Sequence, residues 1–245
     1  MELTFPDPQG LDDLRTYVAR AKTADEDGAI RLQASGPTLA AYVGVLPGSG
    51  LMAEGVVIGL RAMPLAEPVD LDVTVPLAAV TDRLARESGS TLAVPPVTVR
   101  VAWAAMAPPR SGWERVGALT ADEVRVAARQ GIAEVASGAP ADAGGSAIAA
   151  LRRQVWGRPT ATTPPVPAGG AFAAYVLGFV RGDGVRGDGG QGDGVVGEAF
   201  TGDGGQGDGV AGGGVSPGPP EAPVTVWAHG RWTRLSTPAG HVLIR

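Results

Sequence analysis

The chain has 245 residues, 44% of them hydrophobic, and a formal net charge of −5, which is enough apolar material for the core of one large domain or two small ones. It contains no cysteine, and this excludes disulfide frameworks, thiolate zinc sites, iron–sulfur clusters and cysteine nucleophiles. Lys22 is the one lysine and asparagine is absent, while Ala, Gly, Pro and Val abound; GC-rich codons account for most of this bias without invoking function.

The opening residues, Met1-Glu2-Leu3-Thr4-Phe5-Pro6-Asp7, have neither a basic stretch nor an apolar run of secretory type, so a cytoplasmic location is expected. Leu11, Leu14, Val18 and Ala21 recur at helical spacing and predict a short amphipathic helix. Residues 29–35 alternate Ile30, Leu32 and Ala34 against Arg31 and Gln33, and Ser35-Gly36-Pro37 predicts a turn into a second strand through Val45. A third strand is expected near residues 51–62. Residues 36–60 carry one charge, Glu54, yet Pro47-Gly48-Ser49-Gly50 interrupts them, so two strands and a turn are expected there and no membrane span. Residues 69–75 alternate Val69, Leu71, Val73 and Val75 with Asp70, Asp72 and Thr74, a strand wet on one face. Pro76 then suits the start of a helix burying Leu77, Val80 and Leu84, and residues 97–103 read as a further strand.

Beyond Pro108-Pro109 the pattern turns helical. Thr120-Ala121-Asp122-Glu123 is a capping box, and the helix behind it should bury Val124, Ala128, Ile132 and Val135 before stopping near Gly138 and Pro140. A second helix is expected from Ser146 through Trp156, and a third around Phe172, Val176 and Phe179. Residues 181–221 repeat the motif Gly-Asp-Gly and place acids at Asp183, Asp188, Asp193, Glu198, Asp203 and Asp208. Glycine loses the most backbone entropy on ordering and little apolar surface offsets it, so disorder is expected. In residues 222–245, Val224 to Ala228 and Arg231 to Leu235 flank His229-Gly230, with Trp227 facing Trp232. Thr237-Pro238-Ala239-Gly240 then turns the chain into a last strand, completing a three-stranded meander.

The expected class is therefore α+β: antiparallel sheets with packed helices, two β-rich parts around a helical middle. Four segments are expected: an antiparallel part over 1–108, a helical segment over 109–180, the acidic repeat over 181–221, and a meander over 222–245 packing with 109–180. Helix, strands and helix in succession also give a distant topological analogy to sliding clamps, at the level of fold alone.

Chemical motifs are scarce. His229 and His241 occur in no H-x₃-H or H-E-x-x-H spacing, so no metal site is expected. No G-x-S-x-G elbow is present, and Ser49 lies in a turn between strands. The repeat generates G-x-G-x-x-G matches such as Gly182-Asp183-Gly184-Val185-Arg186-Gly187, but no strand precedes and no helix follows to hold a pyrophosphate. Its five-residue period matches neither an EF-hand loop nor a nonapeptide β-roll. No cofactor is expected. Asp70 with Asp72, and Asp25-Glu26-Asp27, are accounted for by a solvated strand face and an acidic turn.

Charge is asymmetric. Residues 181–221 hold seven of the 25 acidic and two of the 20 basic side chains. The basic side chains Arg152, Arg153 and Arg158 accompany Trp156, and Arg231, Arg234 and Arg245 accompany Trp227 and Trp232. Arg interleaved with Trp can grip phosphates and stack bases; the plainer reading is that Arg stems lie over a half-exposed sheet whose tryptophans are core. Arg152, Arg153, Trp156, Arg158, Arg231 and Arg234 are the candidate interaction surface.

The segments Gly112-Trp113-Glu114-Arg115-Val116-Gly117, Gly131-Ile132-Ala133-Glu134-Val135-Ala136 and Leu151-Arg152-Arg153-Gln154-Val155-Trp156 resemble a family of uncharacterised actinobacterial proteins. So do Pro167-Ala168-Gly169-Gly170-Ala171-Phe172 and Gly230-Arg231-Trp232-Thr233-Arg234-Leu235. The resemblance covers most of residues 112–180 and 222–245 and implies no catalytic residue and no activity. Such proteins replace the acidic repeat by a short connection, which implies a tolerated expansion in a surface loop.

With no convergent reactive groups, the leading expectation is a non-enzymatic interaction or scaffold protein with a protein partner. A nucleic-acid-associated, clamp-like module is the alternative, and requires the arginines to form one continuous surface. A carboxylate-dependent enzyme is the second alternative, and requires a deep pocket where acids from distant segments meet.

Overall fold

The structure, a computed structural model, describes residues 1–50, 53–138, 144–181 and 221–245. In chain order its elements are β1 (Glu2–Thr4), α1 (Pro8–Ala24), β2 (Ala29–Ser49), β3 (Glu54–Pro76), α2 (Leu77–Leu84), β4 (Thr91–Ala93), β5 (Glu114–Leu119), α3 (Ala121–Gly138), α4 (Gly145–Gly157), α5 (Ala168–Val176), β6 (Val224–His229), β7 (Trp232–Thr237) and β8 (Gly240–Ile244). The α+β class and antiparallel pairing are as the patterns imply. The two β-rich parts, however, are one sheet: its order is β2-β3-β8-β7-β6-β5, with β1 and β4 forming a separate pair. The seam is β3 against β8, where Val57 pairs with Ile244 and Leu60 with His241.

Several boundaries differ from expectation for identifiable reasons. Ser35-Gly36-Pro37 is a bulge and no turn: β2 continues to Ser49, with register shifts at Gly36/Thr38 and Gly44/Leu46 and Gly36 at φ +71°. Its partner β3 likewise runs unbroken from Glu54 to Pro76, because a bulge absorbs an extra residue without ending a ladder. Residues 97–101 form no strand. Pro95 and Pro96 precede them, Val97 is 64% exposed, and the Val99 N–H donates only to Thr74 O before a 3₁₀ turn at Ala102–Ala105. Within the expected helical segment, β5 adds an edge strand whose register shifts between Arg115 and Gly117, and that irregularity hides its alternation. In the meander the loop is Gly230-Arg231, with Gly230 at φ +57° as the first position of a II′ turn requires. Trp227 therefore pairs with Arg234 and Trp232 with His229, correcting the expected Trp227–Trp232 pair.

One sheet face is covered by helices. α1 buries Leu11, Leu14, Tyr17, Val18 and Ala21, and α2 buries Leu77, Val80 and Leu84, as their spacing predicts. α5 lies directly on the sheet because its contact face is nearly devoid of side chain. A Cβ on Gly169 would come 2.7 Å from Leu46 Cδ1, and one on Gly170 would come 2.5 Å from Ile244 Cδ1. α3 stacks on α5 and begins with the expected capping box: Thr120 N–H donates to Glu123 Oε2 (2.7 Å) and Glu123 N–H donates to Thr120 Oγ1 (3.1 Å). Its buried face is Ala121, Val124, Ala128 and Gly131, while Ile132, expected inside, is 37% exposed. The shift follows from Trp156 of α4, whose benzo ring lies against Gly131 where a Cβ would collide.

Arg125 of α3 joins the two ends of an insertion. Its guanidinium donates to Arg181 O (2.9 Å) and to Glu221 Oε2 (2.8 Å), and the Arg181 N–H donates to Glu221 Oε1 (2.7 Å). The chain thus leaves and re-enters the fold at one point. The expected disorder of the acidic repeat falls on residues 182–220, outside the described residues, as does the expected helix stop at Pro140.

Two outcomes follow. Replacing 182–220 by a short glycine–serine link should leave Tm unchanged or slightly raised, since each halving of a loop lowers its closure cost by about 0.6 kcal/mol; a calorimetric loss of several degrees would contradict this. Gly131→Ala should destabilise by ~1–3 kcal/mol in urea unfolding, because overpacking against Trp156 outweighs the helix-propensity gain of about 1 kcal/mol.

Candidate functional site

Four of the sequence-level candidates lie at or near α4, and the sheet separates them from Arg234. Along α4, Ala149, Arg152, Arg153 and Trp156 are spaced i, i+3, i+4 and i+7 and therefore share one face. That face lines a cleft of about 640 Å³ together with Val45, Leu46 and Val57 of the β2–β3 hairpin, Pro167, and Ile244 of β8. Asp25 and Glu54 also line it, as does Ser49. Arg152 and Arg153 are exposed, and neither meets a carboxylate at ion-pair distance among the described residues.

Trp156 is only 5% exposed and its orientation is set from two sides. One ring face stacks on Phe172 with centroids 4.4 Å apart, and the benzo edge abuts Gly131 of α3. The pyrrole edge is left turned away from α3, and its buried Nε1–H has no acceptor. A buried donor without a partner costs about 1–3 kcal/mol. The cleft therefore combines an apolar floor with two guanidinium groups that meet no carboxylate among the described residues, a set suited to an anionic group on an apolar body.

Arg158 follows α4 but forms an ion pair with Glu134 of α3. Arg231 sits exposed in the β6–β7 loop. Arg234 occupies the opposite sheet face: its Cζ lies 4.7 Å from the Trp113 ring centroid and 5.0 Å from that of Trp227. Arg245 lines the cleft, yet its guanidinium lies 6.0 Å from the Trp232 centroid and donates to Met106 Sδ, also on that opposite face. The six candidates thus do not form one surface: Arg234 is on the sheet face opposite the cleft and Arg231 is in the β6–β7 loop. Arg152, Arg153 and Trp156 are brought together; Arg234 is not among them.

The opposite face has its own small core of Ile58, Trp103, Trp232 and Leu243, covered by residues 99–113. Sequence reading missed Trp103 and Trp113 as members of this layer, because the segment carrying them is irregular. Trp113 is tied down by its Nε1–H donating to Pro109 O (2.9 Å). Asp72, one of the acids weighed for catalysis, accepts from Arg31 (2.6 and 2.7 Å) and Gln33 (3.0 Å); the Arg31 hydrogen bond holds its carboxyl below the usual range. Among the described residues no group of three or more His, Asp or Glu is placed to hold a metal ion, and no helix is long and apolar enough to cross a membrane.

Residues 108–245 match the model of the family described as Domain of unknown function (DUF8185). The chain belongs to that family. Residues 1–105 match a second one, Domain of unknown function (DUF8010). No curated protein and no solved structure matches the chain. The boundary between the two matched segments coincides with neither the sheet nor the cleft. The β3–β8 seam joins the DUF8010 segment to the DUF8185 segment, and the cleft takes Val45, Leu46 and Val57 from the first and Arg152, Arg153, Trp156 and Ile244 from the second.

His241 supplies a pH test of this geometry. Burial, and after it the charge of Arg234, lowers its pKa from the ordinary 6.5. Well above pH 6.5 the imidazole is neutral in both states. As pH falls below 6.5 the unfolded chain takes up a proton that the folded chain still refuses, so stability declines until pH passes the folded-state pKa. His241→Gln should therefore show a shallower fall in Tm between pH 7.5 and pH 5 than the unaltered protein, read by circular dichroism melts.

Proposed function

We propose that this protein is a non-enzymatic interaction protein, and that its contact surface is the α4 cleft, which receives an acidic, apolar-flanked segment of a protein partner. The observation that carries this reading is the pair Arg152 and Arg153, free of carboxylate partners among the described residues, in a cleft lined by the apolar side chains of Val45, Leu46, Val57 and Ile244. Guanidinium groups bind carboxylates through paired N–H donors. The floor of Val45, Leu46, Val57 and Ile244 supplies apolar contact at roughly 25 cal/mol per Å². Asp25 and Glu54 on the rim discourage a wholly acidic ligand, which favours a segment with one or two carboxylates beside Leu or Ile.

Support for the non-enzymatic reading comes from the distribution of reactive groups. The two histidines stand apart from the cleft, and Asp72 is engaged by Arg31 and Gln33.

Binding of a labelled peptide with alternating Glu and Leu to the full-length protein tests the proposal. Affinity should fall at least ~10-fold in the Arg152→Glu/Arg153→Glu double variant, equivalent to about 1.4 kcal/mol, and should weaken as salt is raised. Removing 182–220 should leave it unchanged. Equal binding by the charge-reversed variant, or equal binding of a Lys/Leu peptide, would overturn the reading.

A further inference from the structure

A segment of the kind assigned to the α4 cleft, acidic and flanked by apolar residues, projects from the protein's own surface. Where β2 and β3 pair around the bulge, Gly36 lies opposite Val69 and Thr38 opposite Pro64. One residue of β2, Pro37, therefore stands against four of β3, residues 65–68. A strand advances about 3.3 Å per residue, so the surplus residues cannot lie in the ladder and bow out of it. Leu65 anchors the bow with its side chain in the core, at 4% exposure. Ala66, Glu67 and Pro68 are exposed, as is Asp70 at the base of the bow.

The other carboxylates are engaged or differently placed. Asp13, Asp72, Asp122, Glu134 and Glu221 form ion pairs with arginines, and Asp25 and Glu54 belong to the rim of the cleft itself. Glu2 is held in the β1–β4 ladder, and Glu114 is followed directly by Arg115. Glu67 and Asp70, by contrast, form no ion pair among the described residues. No cation stands between or beside them in the chain, and their neighbours are Ala66, Pro68, Val69 and Leu71. Pro68 fixes its own φ and holds Glu67 to extended backbone, so the crest of the bow loses little conformational entropy on docking.

We propose that the partner of the cleft is a second copy of this chain, whose bow over residues 66–70 docks with the Glu67 carboxylate on Arg152 and Arg153 and with Ala66 and Pro68 toward the apolar floor; this rests on the reading of the cleft as a contact surface. Asp70 adds negative charge at the base of the bow, and two guanidinium groups supply its complement. Within one copy the bow and the cleft are separate surfaces, since no residue of 64–70 lines the cleft. Docking is therefore head-to-tail: a copy that gives its bow keeps its own cleft open. Contacts of this type propagate, into rings if the rotation closes and into open chains if it does not.

Sedimentation velocity of the full-length protein at rising concentration tests this. The unaltered protein should pass from monomer to larger species, and added salt should reverse the change because exposed charges make the contact. Glu67→Ala/Asp70→Ala disarms the bow and keeps the cleft, while Arg152→Glu/Arg153→Glu does the converse. Each variant alone should stay monomeric at concentrations at least ~10-fold above those at which the unaltered protein assembles. Their equimolar mixture should form a one-to-one dimer and stop there, since only one competent bow and one competent cleft remain. A monomeric unaltered protein at every concentration, assembly that persists in either variant, or a mixture that stays monomeric would each overturn the proposal. If the unaltered protein stays monomeric yet binds the Glu/Leu peptide, the occupant belongs to another protein and the second-copy inference alone fails; if the peptide does not bind either, the reading of the cleft fails with it. A free peptide of residues 64–70 needs no variant: in excess it should return the assembled protein to monomer, and assembly that it leaves intact overturns the inference.

Discussion

The pairing of β3 with β8 is the constraint on which the rest of the molecule depends. Four consecutive residue pairs, from Val57–Ile244 to Leu60–His241, join a hairpin from the first half of the chain to a meander at its end. The ladder is extended by Gly55 N–H donating to Arg245 O and Arg245 N–H donating to Val56 O. Without this seam two small sheets would each expose an edge and bury a poor core. With it, one six-stranded sheet supports α1 and α5 on a shared face, and Gly59 in the seam leaves room for Leu177 and the Tyr17 hydroxyl above it.

The seam also explains where the sites are. The cleft opens between α4 and the sheet end where β2 and β8 finish beside the start of β3, so it needs both halves. α5 sets its depth: glycines at 169 and 170 lower that helix onto Leu46 and Ile244, and Trp156 closes the side by stacking on Phe172. On the far face the same strands present alternate residues, and there arginine meets tryptophan instead of solvent. Arg234 shares two indole rings while burial disfavours its charged form. The two faces thus use the same residue types differently. On α4 the guanidinium groups meet no carboxylate among the described residues and the tryptophan is core; on the meander the guanidinium lies over two indole rings.

Legibility varied with how local the determining physics was. The capping box at Thr120, the helices around Leu14 and Val80, and the meander strands all rest on neighbours a few residues apart, and periodicity reports these well. β5 was hidden because its ladder partner β6 lies about a hundred residues away and because its own bulge breaks alternation. Residues 97–101 alternate like a strand but pair with nothing as a ladder, so pattern alone overstated them. Ile132 and Gly131 exchanged places because the space on that side of α3 is filled by Trp156, a residue of another helix. For the site, Arg152, Arg153 and Trp156 could be grouped by helical spacing, but Arg231 and Arg234 were grouped with them by residue type alone.

By itself the sequence determined the α+β class, the element types where periodicity is strong, and the absence of thiol chemistry, since each follows from local geometry or from composition. Only the tertiary structure decided that the two β-rich parts are one sheet, that the hairpin register sets Trp227 against Arg234, and that Arg234 lies on the sheet face opposite Arg152 and Arg153. A strand's face is set by its register, and a one-residue slip reverses it. That register is fixed by long-range burial, which no local pattern encodes.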